Sequence, residues 1–168
     1  MKNTVQSILV LAAAALLCVP ALAAAMSHEK GMKPKPEGKS FIEYLNKVKY
    51  QENWQFFPGK GKLYEGRHPH GAFLTTYVND KALKALQDRA GMLPDGAIVV
   101  KENYSPEKKL MAVTAMYRVK EYNADAGDWF WIKYAPDGAI QAEGKAEGCI
   151  KCHGSVIMND WIFTGPVK

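Results

Sequence analysis

Stretches of β-forming and alternating residues set the architecture that this chain predicts. Residues 72–78 are rich in β-formers, and residues 97–104 form a second such run after the turn chemistry of Leu93-Pro94-Asp95-Gly96. Residues 110–119 alternate, with Met111, Val113, Ala115 and Tyr117 against Ala112, Thr114, Met116 and Arg118. Residues 129–134, a Trp-Phe-Trp-Ile-Lys-Tyr run, are mostly apolar on both faces, which predicts a central strand. Pro136-Asp137-Gly138 predicts a hairpin turn into a weaker fifth strand over 139–143.

Helical spacing occurs twice. Ser40-Phe41-Ile42-Glu43 has capping-box form, and Phe41, Leu45 and Val48 predict a short amphipathic helix over 41–49. Asn79 or Asp80 can cap a second helix over 81–90, with Ala82, Leu83, Leu86 and Ala90 on one side and Gly91 ending it. Residues 51–70 show no period and read as an ordered, irregular loop with Trp54, Phe56 and Phe57 turned inward. Residues 121–128 read as a polar, flexible link. The fold class is mainly β (α+β): an antiparallel twisted sheet of about five strands with a few short helices.

The first residues change the count of what folds. Lys2 precedes an apolar run over 5–17, and Ala21-Leu22-Ala23 or Ala23-Ala24-Ala25 suits a signal peptidase. The expected organisation is a cleaved signal peptide over 1–25 and a flexible lead-in over 26–39. A single domain over 40–168 follows, placed in the periplasm. The chain has 168 residues and a net charge of +5, with its lysines scattered apart from a mild cluster between Lys30 and Lys39. That pattern argues against a nucleic-acid partner and leaves room for an acidic redox protein.

Cysteine usage brings in the chemistry. Of three cysteines, Cys18 leaves with the signal, so the mature protein keeps only Cys149 and Cys152, in Cys149-Ile150-Lys151-Cys152-His153. Two thiols three apart with histidine after the second is the covalent attachment pattern of c-type haem. The thiols add to the porphyrin vinyl groups, and the adjacent imidazole becomes an axial iron ligand. A redox dithiol and half of a zinc site are the competing readings, but no second ligand pair and no early βα position support them. The motif is expected on a C-terminal helix or loop. Met158 is the only methionine after His153, five residues on, too near to reach the other haem face.

The chain resembles the cytochrome P-460 family, which includes the cytochromes c-prime-beta, from about Trp54 to Thr164. The likeness rests on Tyr77-Val78-Asn79, on the run from Leu93 to Glu102, and on Gly127-Asp128-Trp129-Phe130-Trp131. The haem motif and Asn159-Asp160-Trp161-Ile162-Phe163-Thr164 complete it in family order. The resemblance implies a mostly β, often dimeric periplasmic protein with one covalent haem c and five-coordinate iron. Cys149 and Cys152 would carry the thioethers and His153 would be the proximal ligand. In hydroxylamine-oxidising members a lysine is also joined to the porphyrin, and Lys101 is the lysine that aligns. Read from the residues alone, Lys101 either faces inward or reaches solvent at a strand end, beside Glu102 or Glu107.

Phe56, Phe57, Phe73, Met116 and Trp131 are candidate pocket residues, with Trp129 adding apolar wall. Asp160 is a candidate hydrogen-bond acceptor for His153, or a cap of the final turn. Glu143 and Glu147 are candidate bases that otherwise face solvent. His68 and His70 are a candidate sixth ligand or surface metal pair, or exposed loop residues. Three functions follow. The leading one is binding of nitric oxide, and carbon monoxide, at open iron. The others are oxidation of hydroxylamine or nitric oxide with a cross-linked lysine, and plain electron transfer.

Overall fold

The computed structural model describes residues 33–168. The signal peptide expected over 1–25, and the lead-in up to residue 32, lie outside the described residues.

Seven antiparallel strands make one sheet. They are β1 (Gln55–Phe56), β2 (Tyr64–Glu65), β3 (Phe73–Val78), β4 (Ile98–Tyr104), β5 (Leu110–Arg118), β6 (Trp129–Tyr134) and β7 (Ile140–Gly144). The order is β1-β3-β4-β5-β6-β7, with β2 also pairing β3. The two strands beyond the expected five come from the loop over 51–70. Each is only two residues long, too short to leave a periodic signal. They cover the outer edge of β3, which would otherwise stand unpaired. The Trp-Phe-Trp strand, β6, is next to the edge of the sheet, not central. It is apolar on both faces because both faces are covered.

One cover is α1 (Gly38–Val48), whose Phe41 packs on Tyr117 and Phe130 with ring centroids 5.7 Å apart in both pairs. The helix starts at Gly38, so Ser40 lies inside its first turn and is not its cap. Gly38 lets the Glu143 carboxylate approach closely and accept its N–H at 2.7 Å. The last lead-in residues also touch the domain, with Pro34 buried and Lys33 paired to Asp95. Lys49, in the left-handed region, turns the chain into the short α2 (Tyr50–Asn53).

The opposite face carries α3 (Asp80–Gln87), α4 (Glu147–His153) and the closing segment. Asn79 caps α3 by accepting from the Ala82 N–H at 3.1 Å. It also accepts from Ile98 at 3.0 Å and donates to the Gly96 carbonyl at 2.9 Å, which ties the helix to β4. The helix ends three residues before the expected Ala90. A 3₁₀ turn, Ala124–Ala126, with Ala126 buried, occupies part of the expected link. Among the described residues no helix is long and apolar enough to cross a membrane.

Candidate haem-binding site

The strand register decides which side chains can meet. Directly paired residues share a face, so Val99, Met116 and Trp131 form one row across β4, β5 and β6. Thr76, Lys101, Thr114 and Lys133 form the next row on that face. Glu102 and Tyr104 point to the other side. The turn at Gly96 therefore sets the parity that sends Lys101 toward α4 and Glu102 toward α1.

On the α4 side lies a mostly apolar cleft, open to solvent at its mouth. Lys101, Met116, Trp131, Cys149 and His153 line it, together with His70 and Phe163. Of the candidate pocket residues, Met116 and Trp131 are thus in the cleft. Phe73 and Phe56 are not: pairing puts Phe73 with Tyr104 and Phe56 with Tyr77, on the α1 face. Phe57 is fully buried beside Gly165 and does not reach the cleft either. Trp129 is buried core, with the Arg118 guanidinium over its ring.

Helix α4 presents the motif. Cys149 is half-buried and lines the cleft, Cys152 is exposed, and both are free thiols. Burial pushes the Cys149 thiol up. His153, the last residue of α4, is buried, with its ring 4.7 Å from Trp131 and 5.1 Å from Phe163 between centroids. Its Nδ1 lies 2.7 Å from the Trp161 carbonyl oxygen. A carbonyl only accepts, so Nδ1 holds the hydrogen and Nε2 is left with its lone pair. Burial lowers the His153 pKa, and this bond partly opposes that.

Of the two roles expected for Asp160, it does not accept from His153 but does cap the closing 3₁₀ turn over Gly154–Asn159, its N–H donating to the Ile157 carbonyl. Its carboxylate accepts from the Leu93 N–H at 2.7 Å and from Arg118 at 2.6 Å. It acts one residue away, fixing the segment whose next carbonyl holds the imidazole. Glu143 accepts from Gly38 at the far edge and Glu147 is exposed on α4; neither lines the cleft. His68 is exposed, whereas His70 is partly buried in the cleft wall, its ring centroid 6.3 Å from that of His153. The proline and glycine flanking this segment gave no periodic signal that would have separated the two histidines.

Lys101 is the cationic group of the cleft wall, and among the described residues no carboxylate or hydrogen-bond acceptor meets its amine. Burial pulls its pKa down to about 8. Burial and the Lys101 charge together push His70 down to about 4. Trp131 adds a buried indole N–H with no partner among the described residues. Among the described residues no group of three or more His, Cys, Asp or Glu is placed to hold a metal ion by itself.

These residues fit a haem. Two free thiols sit on one helix turn, and the following imidazole keeps a free Nε2. An apolar cleft beside them holds an unpaired amine and an unpaired indole N–H. The Cytochrome P460 family model matches residues 49–164, which contain the sheet, the cleft and α4. No curated protein matches the chain.

Proposed function

The chain belongs to the cytochrome P460 family and is a haem cytochrome, and from that premise we propose that it is a periplasmic mono-haem c-type protein that oxidises hydroxylamine. Cys149 and Cys152 carry the thioethers, His153 is the proximal ligand, and Lys101 is joined to the porphyrin. The observation that carries this reading is the amine of Lys101, without a counter-ion, in the cleft that holds Cys149 and His153. An uncompensated inward lysine is costly, and covalent use removes that cost. A pKa near 8 leaves a usable fraction of neutral, nucleophilic amine at physiological pH.

When bound, the haem supplies open iron for a small nitrogen ligand and a route for its electrons to an external acceptor. The chain's part is to hold Nε2 of His153 toward the cleft through the Trp161 carbonyl. The apolar wall excludes bulk water from the bound ligand.

The second reading is storage or sensing of nitric oxide, with carbon monoxide binding in parallel. The apolar lining from Val99, Met116, Trp131 and Ile162 favours it. One set of experiments separates the two. Purified holoprotein is mixed with hydroxylamine and an artificial electron acceptor, and its spectrum and peptide map are recorded. The enzyme reading expects acceptor reduction, a red-shifted Soret band and the Lys101 peptide joined to the haem peptide. An ordinary high-spin spectrum, a free Lys101 peptide and no acceptor reduction would sink it in favour of the gas binder.

A further inference from the structure

His70, expected as a sixth ligand, one of a surface metal pair or an exposed loop residue, lines the cleft, and its hydrogen bonds fix which of its nitrogens can meet a ligand. Its Nδ1 lies 2.8 Å from Oδ1 of Asn103. The orientation of that amide is set by its other end. Nδ2 of Asn103 donates to the carbonyls of Lys101 at 3.0 Å and Ala112 at 3.1 Å, and faces Thr114 Oγ1 at 3.2 Å. Two of these partners only accept, so the nitrogen must lie there and the oxygen must face His70. An amide oxygen only accepts in turn. Nδ1 of His70 therefore carries the hydrogen, and Nε2 carries a lone pair that no hydrogen bond within the described residues uses.

Asn103 is buried at the register shift where β4 loosens its pairing to β5, and this frees its side chain for the network. We propose that His70 is the specificity-determining residue of the cleft, its Nε2 accepting a hydrogen bond from an N–H or O–H of the bound ligand. Resting on the hydroxylamine reading above, this explains why the cleft would favour hydroxylamine over diatomic gases. Hydroxylamine brings donors on both nitrogen and oxygen, whereas nitric oxide and carbon monoxide bring none and gain nothing from an acceptor. A site built to hydrogen-bond its substrate rejects an analogue that lacks the donor, because the site's polar group is then left unpaired.

The test compares wild type with His70→Gln and His70→Leu as haem-loaded proteins. Hydroxylamine is titrated onto the ferric form and carbon monoxide onto the ferrous form, each followed optically. The expected order for hydroxylamine affinity is wild type, then Gln, then Leu, with Leu weaker by about tenfold, the worth of one hydrogen bond in a dry site. Carbon monoxide affinity should not fall in either variant and should rise in His70→Leu, where the unpaired acceptor is gone, and its retention also checks that the variants are folded and loaded. Asn103→Leu, which frees the ring without removing it, should fall between wild type and His70→Leu. Equal hydroxylamine affinity across the series overturns the inference. So does a low-spin wild-type spectrum that becomes high-spin in His70→Leu, because Nε2 would then be an iron ligand. If wild type itself neither binds nor oxidises hydroxylamine, the parent reading fails instead, and the two failures are distinct.

Discussion

Nδ1 of His153 lies 2.7 Å from the carbonyl oxygen of Trp161, eight residues further along the chain. That carbonyl is presented by two consecutive non-glycine residues in the left-handed region, Asp160 at φ 53° and Trp161 at φ 67°. Such backbone costs about 1–3 kcal/mol per residue and persists only where its surroundings hold it. The holding group is the Asp160 carboxylate, bonded to Arg118 and to the Leu93 N–H and 7% exposed.

Asp160→Ala should therefore do two things at once. It leaves Arg118 and the Leu93 N–H without their acceptor, which should cost about 3 kcal/mol in urea unfolding. It also lets the Trp161 carbonyl drift, which should broaden and shift the iron–histidine stretching band in the ferrous holoprotein. Asp160→Asn keeps one acceptor oxygen and should lie between. An unchanged band in a destabilised Asp160→Ala protein would mean that the carboxylate serves the fold alone.

Lys101 predicts a pH dependence in protein produced without haem. Its pKa falls from 10.5 to about 8 on folding because of burial. Between these values the unfolded chain holds the proton and the folded chain has released it, so stability rises with pH across that window. Below pH 8 both states are charged, and the fold carries the full cost of a desolvated ammonium, on the order of 3 kcal/mol. Lys101→Met should be more stable than wild type at pH 7, and the difference should shrink toward zero by about pH 10.5. Comparing variant with wild type cancels the buried tyrosines, whose hydroxyl pKa values burial raises above the ordinary value. Urea midpoints at pH 7, 9 and 10.5 check this. A difference independent of pH would place the amine in solvent.

The legible part of this protein was its local chemistry. Alternation, turn residues and caps found β3 to β7 and α3 to within a few residues, and the haem motif was found on α4. What failed was parity and reach. Phe56 and Phe73 look like pocket aromatics until strand pairing puts them on the α1 face, and pairing partners are not written in either strand. His70 looked like its neighbour His68 because its burial depends on Asn103, thirty-three residues away. Asp160 lies near the histidine in sequence, yet its partners, Leu93 and Arg118, come from other elements. Residues 51–70 have no period because their two short strands answer to the edge of β3 and not to a face of their own.

Glu102 is the neighbour of Lys101 on the opposite face, and the two should be separable by mutation. Its buried carboxylate accepts from Tyr104 at 2.6 Å, Tyr50 at 3.0 Å and Gln51 at 3.2 Å. Among the described residues no cation meets it, and its donors are hydroxyl and amide groups. Glu102→Ala opens a void and leaves three donors unpaired, so a loss of about 3 kcal/mol is expected. The optical spectrum and ligand affinities of the haem-loaded variant should match wild type, because the sheet stands between Glu102 and the cleft. A changed Soret band in this variant would show that the two faces are coupled.

Gly71 offers an independent route to His70 that leaves the imidazole in place. A Cβ at residue 71 would meet the backbone nitrogen and carbonyl oxygen of Tyr104 at once, with the Asn103 carbonyl carbon 3.0 Å away. These are main-chain atoms of β4 and cannot swing aside as a flexible side chain would. The loop must therefore lift, and it carries His70 with it while Asn103 stays in its network on β4 and β5. The 2.8 Å bond between the two should lengthen or break. Gly71→Ala should then lose hydroxylamine affinity by nearly as much as His70→Leu, with carbon monoxide binding retained and stability lower by about 1–3 kcal/mol. Optical titration beside urea unfolding measures both. If Gly71→Ala is destabilised as expected yet binds hydroxylamine like wild type, the anchoring of His70 by Asn103 does not control the ligand.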